Sequence, residues 1–222
     1  MGAGYAPYNQ DRFAAHERVL RLCGRPRAVV DVGGSSGYVS RRLAAAGTRV
    51  VVLDRDEAAV ADAIGAGVEA HVVDLGRDDP PLGDAEFDLM LCMDILEHLS
   101  DPASALRRLR RLLRPDGRLI ASVPNGANWT LRLSLLAGRW EYRERGLLDR
   151  THLRNFTRST FHRLMTDAGF VIVDTDVTCP VPMKIGRAQA VAYHIARRLP
   201  GLLAYQHIVV AAPARERAAR SG

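Results

Sequence analysis

Lysine is nearly missing from this chain: among 31 basic residues only Lys184 is a lysine, and the rest are arginines. Cysteine is scarce too. Cys23, Cys92 and Cys179 are odd in number, far apart and outside any CxxC spacing, so neither a disulfide framework nor a thiolate zinc site is suggested. A reducing, cytoplasmic setting is expected. No run of about 20 apolar residues is present to span a bilayer, and Met1 to Gln10 has neither the basic start nor the apolar stretch of a secretion leader. Aromatics make up only 6% of the 222 residues. That length fits one domain, expected over 1–222.

What is abundant is arginine, and the net charge is +6. A clustered basic surface steers nucleic acid, but here the arginines spread over several expected helices. Arg107, Arg108, Arg110, Arg111 and Arg114 alternate with Leu106, Leu109, Leu112 and Leu113, which reads as the polar face of an amphipathic helix. A nucleic-acid partner is therefore the weaker expectation.

From residue 28 onward, short valine-rich runs alternate with helical patterns, the signature of βαβ units feeding a parallel sheet. Strands are expected at Ala28–Val32, Arg49–Leu53, Glu69–Val73, Phe87–Met93 and Arg118–Val123, with helices near 37–46, 56–65 and 102–114. A further helix near Ser159–Ala168 ends at Gly169, followed by a strand at Phe170–Val177, a helix over about 187–198 and a strand at Gln206–Ala212. A helical extension, with its helix near 10–23, occupies about 1–24. Two stretches break the rhythm. Pro124–Arg154 is long and irregular, carries Trp129, Trp140 and Tyr142, and suits a lid or acceptor-binding insertion. Thr178–Gly186 holds Pro180 and Pro182, and the tail from Ala214 is expected to fray.

The most informative residues are Val29 to Gly37, an apolar strand running into a glycine-rich turn that opens a helix. Glycines there let the backbone approach a ligand, and the helix start offers free N–H groups. The dinucleotide spacing G-x-G-x-x-G fails at its last glycine, and a triphosphate loop needs a lysine that this turn lacks. Asp31 sets a carboxylate at the strand's end, which repels a pyrophosphate and suits an ammonium group.

Asp31-Val32-Gly33-Gly34-Ser35-Ser36-Gly37 resembles the D/E-x-G-x-G-x-G motif of class I S-adenosylmethionine (SAM)-dependent methyltransferases, with Ser35 in place of the central glycine. Asp54 at the end of the second strand is placed to accept both hydrogen bonds of a ribose diol. The resemblance implies that Asp74, with Leu75, borders the adenine and that Met93 lies near its ring. Each aspartate read singly is a loop acid or helix cap; three at successive strand ends favour a cofactor site. Phe87 to Leu99, followed by Leu113 to Leu119, is similar to the fourth- and fifth-strand motifs of the family. What the resemblance implies is a Rossmann-like, doubly wound sheet of seven strands with the last antiparallel, SAM as methyl donor and S-adenosylhomocysteine as product.

The acceptor side is less marked. Leu148 to Thr157 resembles the corresponding stretch of ubiquinone-biosynthesis O-methyltransferases and related small-molecule and glycan methyltransferases, which implies that His152 borders the acceptor pocket as general base. The plain alternative is a helix-entry histidine bonded to backbone. Asp149 and Arg150 are candidates to orient it or bind substrate. Asp94 is a second catalytic candidate, and Asp94, Glu97 and His98 have the spacing of a divalent-metal site on one helical turn. The same turn is common in relatives that bind no metal, so a metal is the minor expectation. The reading is thus an enzyme that methylates a hydroxyl of a small metabolite, sugar or natural product. Its alternatives are a metal-assisted RNA 2′-O-methyltransferase, an N- or C-methyltransferase, and a noncatalytic binding relative. Tyr5 and Tyr8 join Trp129, Trp140 and Tyr142 as candidates to shape the acceptor pocket.

Overall fold

A computed structural model describes residues 15–179 and 186–214. Seven strands, β1 (Ala28–Val32), β2 (Arg49–Asp54), β3 (Glu69–Val72), β4 (Phe87–Met93), β5 (Leu113–Pro124), β6 (Phe170–Thr178) and β7 (Gln206–Pro213), form one sheet in the order β3-β2-β1-β4-β5-β7-β6. The first five run parallel, and β7 pairs antiparallel with both β5 and β6. β1 is buried at all five positions, as a central strand covered on both faces must be, which is why its sequence is apolar at every position but Asp31.

Eight helices are described: α1 (Ala15–Cys23), α2 (Tyr38–Ala45), α3 (Glu57–Gly65), α4 (Pro102–Leu109), α5 (Trp129–Leu136), α6 (Arg158–Asp167), α7 (Gly186–Arg198) and α8 (Pro200–Leu203). One core cluster packs Val19 of α1, Leu43 of α2 and Val60 of α3 against the strands; the other packs Leu106 of α4 with Phe161 and Met165 of α6. Helix starts follow local chemistry. Asp56 and Asp101 accept backbone N–H bonds at the starts of α3 and α4, and Thr157 with Thr160 closes a capping box on α6.

Several expectations need adjusting. The helix expected over 102–114 stops at Leu109, and a short 3₁₀ turn, Arg110–Leu112, leads straight into β5. That strand pairs Leu113 with Phe87 and then resumes at Arg118 with Leu89. The intervening stretch bulges because Pro115 has no N–H to give the ladder and Gly117 relaxes the backbone. The stretch Pro124–Arg154, expected to be irregular, contains α5. The N-terminal helix is described from Ala15; its expected start near residue 10, Tyr5 and Tyr8, the prolines Pro180 and Pro182, and the tail from residue 215 lie outside the described residues.

The chain moves outward from β1 in both directions, to β2 on one side and β4 on the other. This switch opens a crevice at the carboxyl ends of β1 and β4, where open α/β sheets bind ligands. α1 is tied over this region by Arg18, which donates to Asp176 on β6 and to the Tyr193 hydroxyl on α7. Among the described residues no helix is long and apolar enough to cross a membrane.

Candidate functional site

A cavity of about 340 Å³ occupies that crevice, within the usual range for a small-molecule site. One wall is the glycine turn, from Asp31 through Gly33, Gly34 and Ser35. The opposite wall carries Asp94, Glu97 and His98 from the end of β4, with His152 from the loop before α6. His16 of α1 and Tyr38 of α2, stacked with ring centroids 5.7 Å apart, border it as well.

The turn is built without side chains for a steric reason. Gly33 has φ +73°, and a Cβ there would stand 2.5 Å from Cγ1 of Ile95. At Gly34 a Cβ would meet the Asp31 carboxyl carbon at 2.7 Å. Ser35 takes φ +49°, the left-handed conformation that glycine supplies in the resembled motif. Its strain is offset by a bond: the Ser35 N–H donates to Asp54 Oδ2 at 2.7 Å, while the Asp56 N–H donates to Asp54 Oδ1 at 3.0 Å. Asp54 thus fastens the turn to the end of β2. Gly37, also left-handed, starts α2.

Of the three strand-end aspartates Asp31, Asp54 and Asp74, only Asp31 lines the cavity. Asp31 is 4% exposed and accepts a 2.6 Å bond from the Ser40 hydroxyl. Burial pushes its carboxyl up to about 6, against the Ser40 bond, which lowers it, and with the Asp54 charge, which raises it. Asp74, by contrast, is half-exposed and accepts the Gly76 N–H in a tight turn, and Leu75 is packed in the core. Asp54, Asp74, Leu75 and Gly37 do not line the cavity; Met93 does.

On the opposite wall Asp94 also adopts a left-handed backbone, φ +49°. Its Oδ1 accepts from the Ser122 hydroxyl at 3.0 Å and its Oδ2 from the Gln206 amide at 2.6 Å, while Gln206 Oε1 accepts from Thr178 at 2.9 Å. Burial raises the Asp94 pKa above the usual carboxylate range despite these bonds. Gln206 and Ser122 had no signal in the sequence; their role exists only because β5 and β7 lie side by side next to β4.

Glu97, 1% exposed, has no hydrogen-bond partner for either carboxylate oxygen among the described residues. Burial, with the neighbouring Asp94 charge, holds its carboxyl well above its ordinary value. His98 Nδ1 donates to the Thr151 carbonyl at 3.1 Å, since a carbonyl can only accept. His152 Nε2 stands 4.0 Å from Glu97 Oε1, and the two imidazoles meet edge to face at 5.0 Å. Ligand-capable atoms of Glu97, His98 and His152 all lie within 4.8 Å of one another. The loop is pinned there because the Leu153 and Arg154 N–H groups both donate to the Glu97 carbonyl, at 2.8 and 3.0 Å. Burial, then the His98 charge, lowers the His152 pKa, keeping its imidazole neutral at neutral pH.

Asp149 lines the cavity, whereas Arg150 sits outside it, paired with Glu144. Trp129, Trp140 and Tyr142, expected to shape the acceptor pocket, do not line it and stand exposed. Tyr205, which the sequence did not mark, lines the cavity and packs on Leu131, Leu147 and Leu148.

A family model described as a methyltransferase domain matches residues 8–175. A probable S-adenosylmethionine-dependent methyltransferase of Mycobacterium tuberculosis is 31% identical over 164 residues, 72% of this chain and 56% of that protein. A ubiquinone biosynthesis O-methyltransferase of Haemophilus ducreyi is 35% identical over 108 residues, 45% of this chain and 46% of that protein. The chain thus spans about half the length of the curated relatives it matches. Among solved structures, a Mesorhizobium loti S-adenosylmethionine-dependent methyltransferase aligns with TM-score 0.63 at 22% identity, covering 90% of this chain and 98% of the other. The Burkholderia thailandensis 1,6-didemethyltoxoflavin-N1-methyltransferase, solved with S-adenosylhomocysteine, aligns with TM-score 0.60 at 23% identity over 93% of this chain and 80% of the other. These two likenesses bear on the fold.

Proposed function

The chain belongs to the class I SAM-dependent methyltransferases, and from that premise we propose that it methylates a hydroxyl of a small molecule, with His152 as the base. The observation that carries this reading is the position of His152 on the cavity wall opposite the glycine turn, where burial lowers its pKa.

The residues present fit the cofactor. Gly33 and Gly34 leave a cradle that a Cβ would fill, and the buried Asp31 carboxylate suits the methionine ammonium, directly or through water. Asp54 is assigned to the ribose diol: each of its oxygens accepts one backbone N–H and keeps a second lone pair. Asp74 and Leu75 are carried as adenine-side residues by the resemblance alone. Bound SAM supplies a methyl group activated by a positively charged sulfur. The chain's own contribution is alignment and proton removal. Asp94, clamped by Ser122 and Gln206, positions the acceptor. His152 would accept the proton of the acceptor hydroxyl as that oxygen is methylated.

Asp31 makes cofactor affinity pH-dependent. Without ligand its carboxyl is neutral below about 6, whereas an ammonium partner favours the ionised form. Affinity for SAM is therefore expected to hold above that pH and to fall roughly tenfold per pH unit below it, with proton release on binding. Calorimetric titrations across this range check the slope; a flat profile would detach Asp31 from the ammonium.

A second reading is favoured by one observation, the unsatisfied buried carboxylate of Glu97 facing two histidines. A carboxylate and two imidazoles are a common divalent-metal set, and the Thr151 carbonyl holds His98 as a second-shell partner would. In that case Glu97, His98 and His152 would hold the cation, which would supply a Lewis acid to lower the pKa of the acceptor hydroxyl. Chelator-stripped protein assayed with SAM and a panel of hydroxylated acceptors separates the two. Turnover that survives stripping supports His152 as base; turnover lost and restored by Mg²⁺, Mn²⁺ or Zn²⁺ supports the metal. Methylation of amines but of no hydroxyl would sink both.

A further inference from the structure

α5 has the composition of a buried helix and the exposure of a surface one. Its sequence, WTLRLSLL, sets five large apolar residues on more than one face, broken by Thr130, Arg132 and Ser134, so one inward face cannot bury them all. Only Leu131 is buried; Trp129, Leu133, Leu135 and Leu136 are exposed, Leu136 to 84%. Trp140 and Tyr142 follow, also exposed. α7 and α8 also expose apolar residues. Val191, Ile195 and Leu199, spaced four apart on successive turns, are exposed while Tyr193 and Ala196 of the same helix are buried, and Leu202 of α8 is partly exposed. α8 adjoins the start of α5, where Asn128 donates to the Ala204 carbonyl and Arg132 to the Gly201 carbonyl. So many large apolar residues exposed on these elements mark an interaction site rather than ordinary surface.

Its charge says what it meets. Residues 126–148 contain Arg132, Arg139, Arg143 and Arg145 against two acids, Glu141 and Glu144, and Glu144 is paired with Arg150. Residues 189–205 contain Arg197 and Arg198 and no acid, although Arg197 also stands 3.9 Å from Asp176. Both tryptophans of the chain are here. Exposed leucines flanked by tryptophan and arginine match an anionic bilayer surface: aromatic rings settle at headgroup depth, leucines enter the acyl boundary and guanidinium groups pair with phosphates. We propose that α5, the segment to Tyr142 and the outer stripe of α7 and α8 form a docking surface for anionic membranes. Leu131 on the inner side of α5 packs in the cluster that also holds Tyr205 of the cavity wall. The surface therefore brings the acceptor side of the cavity to the bilayer. The proposal does not depend on which acceptor is methylated.

Because Trp129 and Trp140 are the chain's two tryptophans, its intrinsic fluorescence reports on this face directly. Mixed phosphatidylglycerol–phosphatidylcholine vesicles added to the full chain should shift tryptophan emission to the blue and co-sediment the protein. Pure phosphatidylcholine vesicles should bind about tenfold more weakly or worse. The double variant Leu133→Asp/Leu136→Asp should lose vesicle binding by about tenfold or more while titrating SAM as the parent does. Absence of an emission shift with anionic vesicles would overturn the proposal, as would equal binding to neutral vesicles or binding that survives in the double variant. A blue shift that appears without lipid as protein concentration rises, with sedimentation as a dimer, would overturn it in favour of a second copy.

Discussion

His152→Ala should lower turnover by about 10²–10⁴-fold, the usual contribution of a positioned acid or base, while leaving SAM affinity within a small factor. The reason for the split lies in the geometry: His152 stands beside Glu97 and His98, and the glycine turn that cradles the cofactor is on the other wall. Removing the imidazole leaves Asp31, Gly33 and Ser35 untouched. Steady-state turnover with calorimetric SAM titration on the same preparation checks it. Loss of SAM binding with turnover per bound cofactor preserved would place His152 in the cofactor site and refute the assignment. His152→Gln serves as a companion, since it keeps a polar group of related size but takes up no proton; it should be as inactive as the alanine variant if proton transfer is the role.

Gly33→Ala should abolish measurable SAM binding and destabilise the fold. Two costs coincide at this position. A left-handed backbone, φ +73°, costs a non-glycine residue about 1–3 kcal/mol, and a methyl 2.5 Å from Ile95 Cγ1 forces repacking worth about 1–3 kcal/mol more. Ile95 cannot yield freely, because it packs against the core cluster at the end of β4. Gly47 provides the control: its φ is +89°, yet nothing lies within 4 Å of the added Cβ. Gly47→Ala should therefore show the backbone cost alone and spare SAM binding. Urea unfolding and SAM titration of the two variants measure the difference, and equal effects at both positions would contradict the close-packing argument.

Some of the site was legible because its signals are local. The Asp31–Gly37 turn carries its conformational demand in its own residues, and the acids Asp54 and Asp74 sit where apolar runs end. Yet the three aspartates turned out unlike one another: Asp31 is buried in the cavity wall, Asp54 ties down backbone, and Asp74 faces solvent. Sequence spacing gives the position of a carboxylate along a strand but not the direction in which neighbouring loops turn it. The helix α5 was missed for a related reason. An amphipathic helix announces itself by a one-sided apolar stripe, whereas α5 alternates apolar residues with Thr130, Arg132 and Ser134, so no helical period marked it within the stretch expected to be irregular.

By itself, then, the sequence determined the class of the fold, the glycine turn and the kind of charge at the end of β1, because strand burial and backbone conformation are set by residues near one another in the chain. Tertiary structure alone decided which groups share the reaction space. Gln206 reaches Asp94 across 112 positions of sequence. His152 meets Glu97 only because two backbone N–H groups pin its loop to the turn after β4. The physical reason is range: periodicity and sterics act over a few residues, whereas a hydrogen bond between distant segments exists only after the sheet has brought its strand ends together.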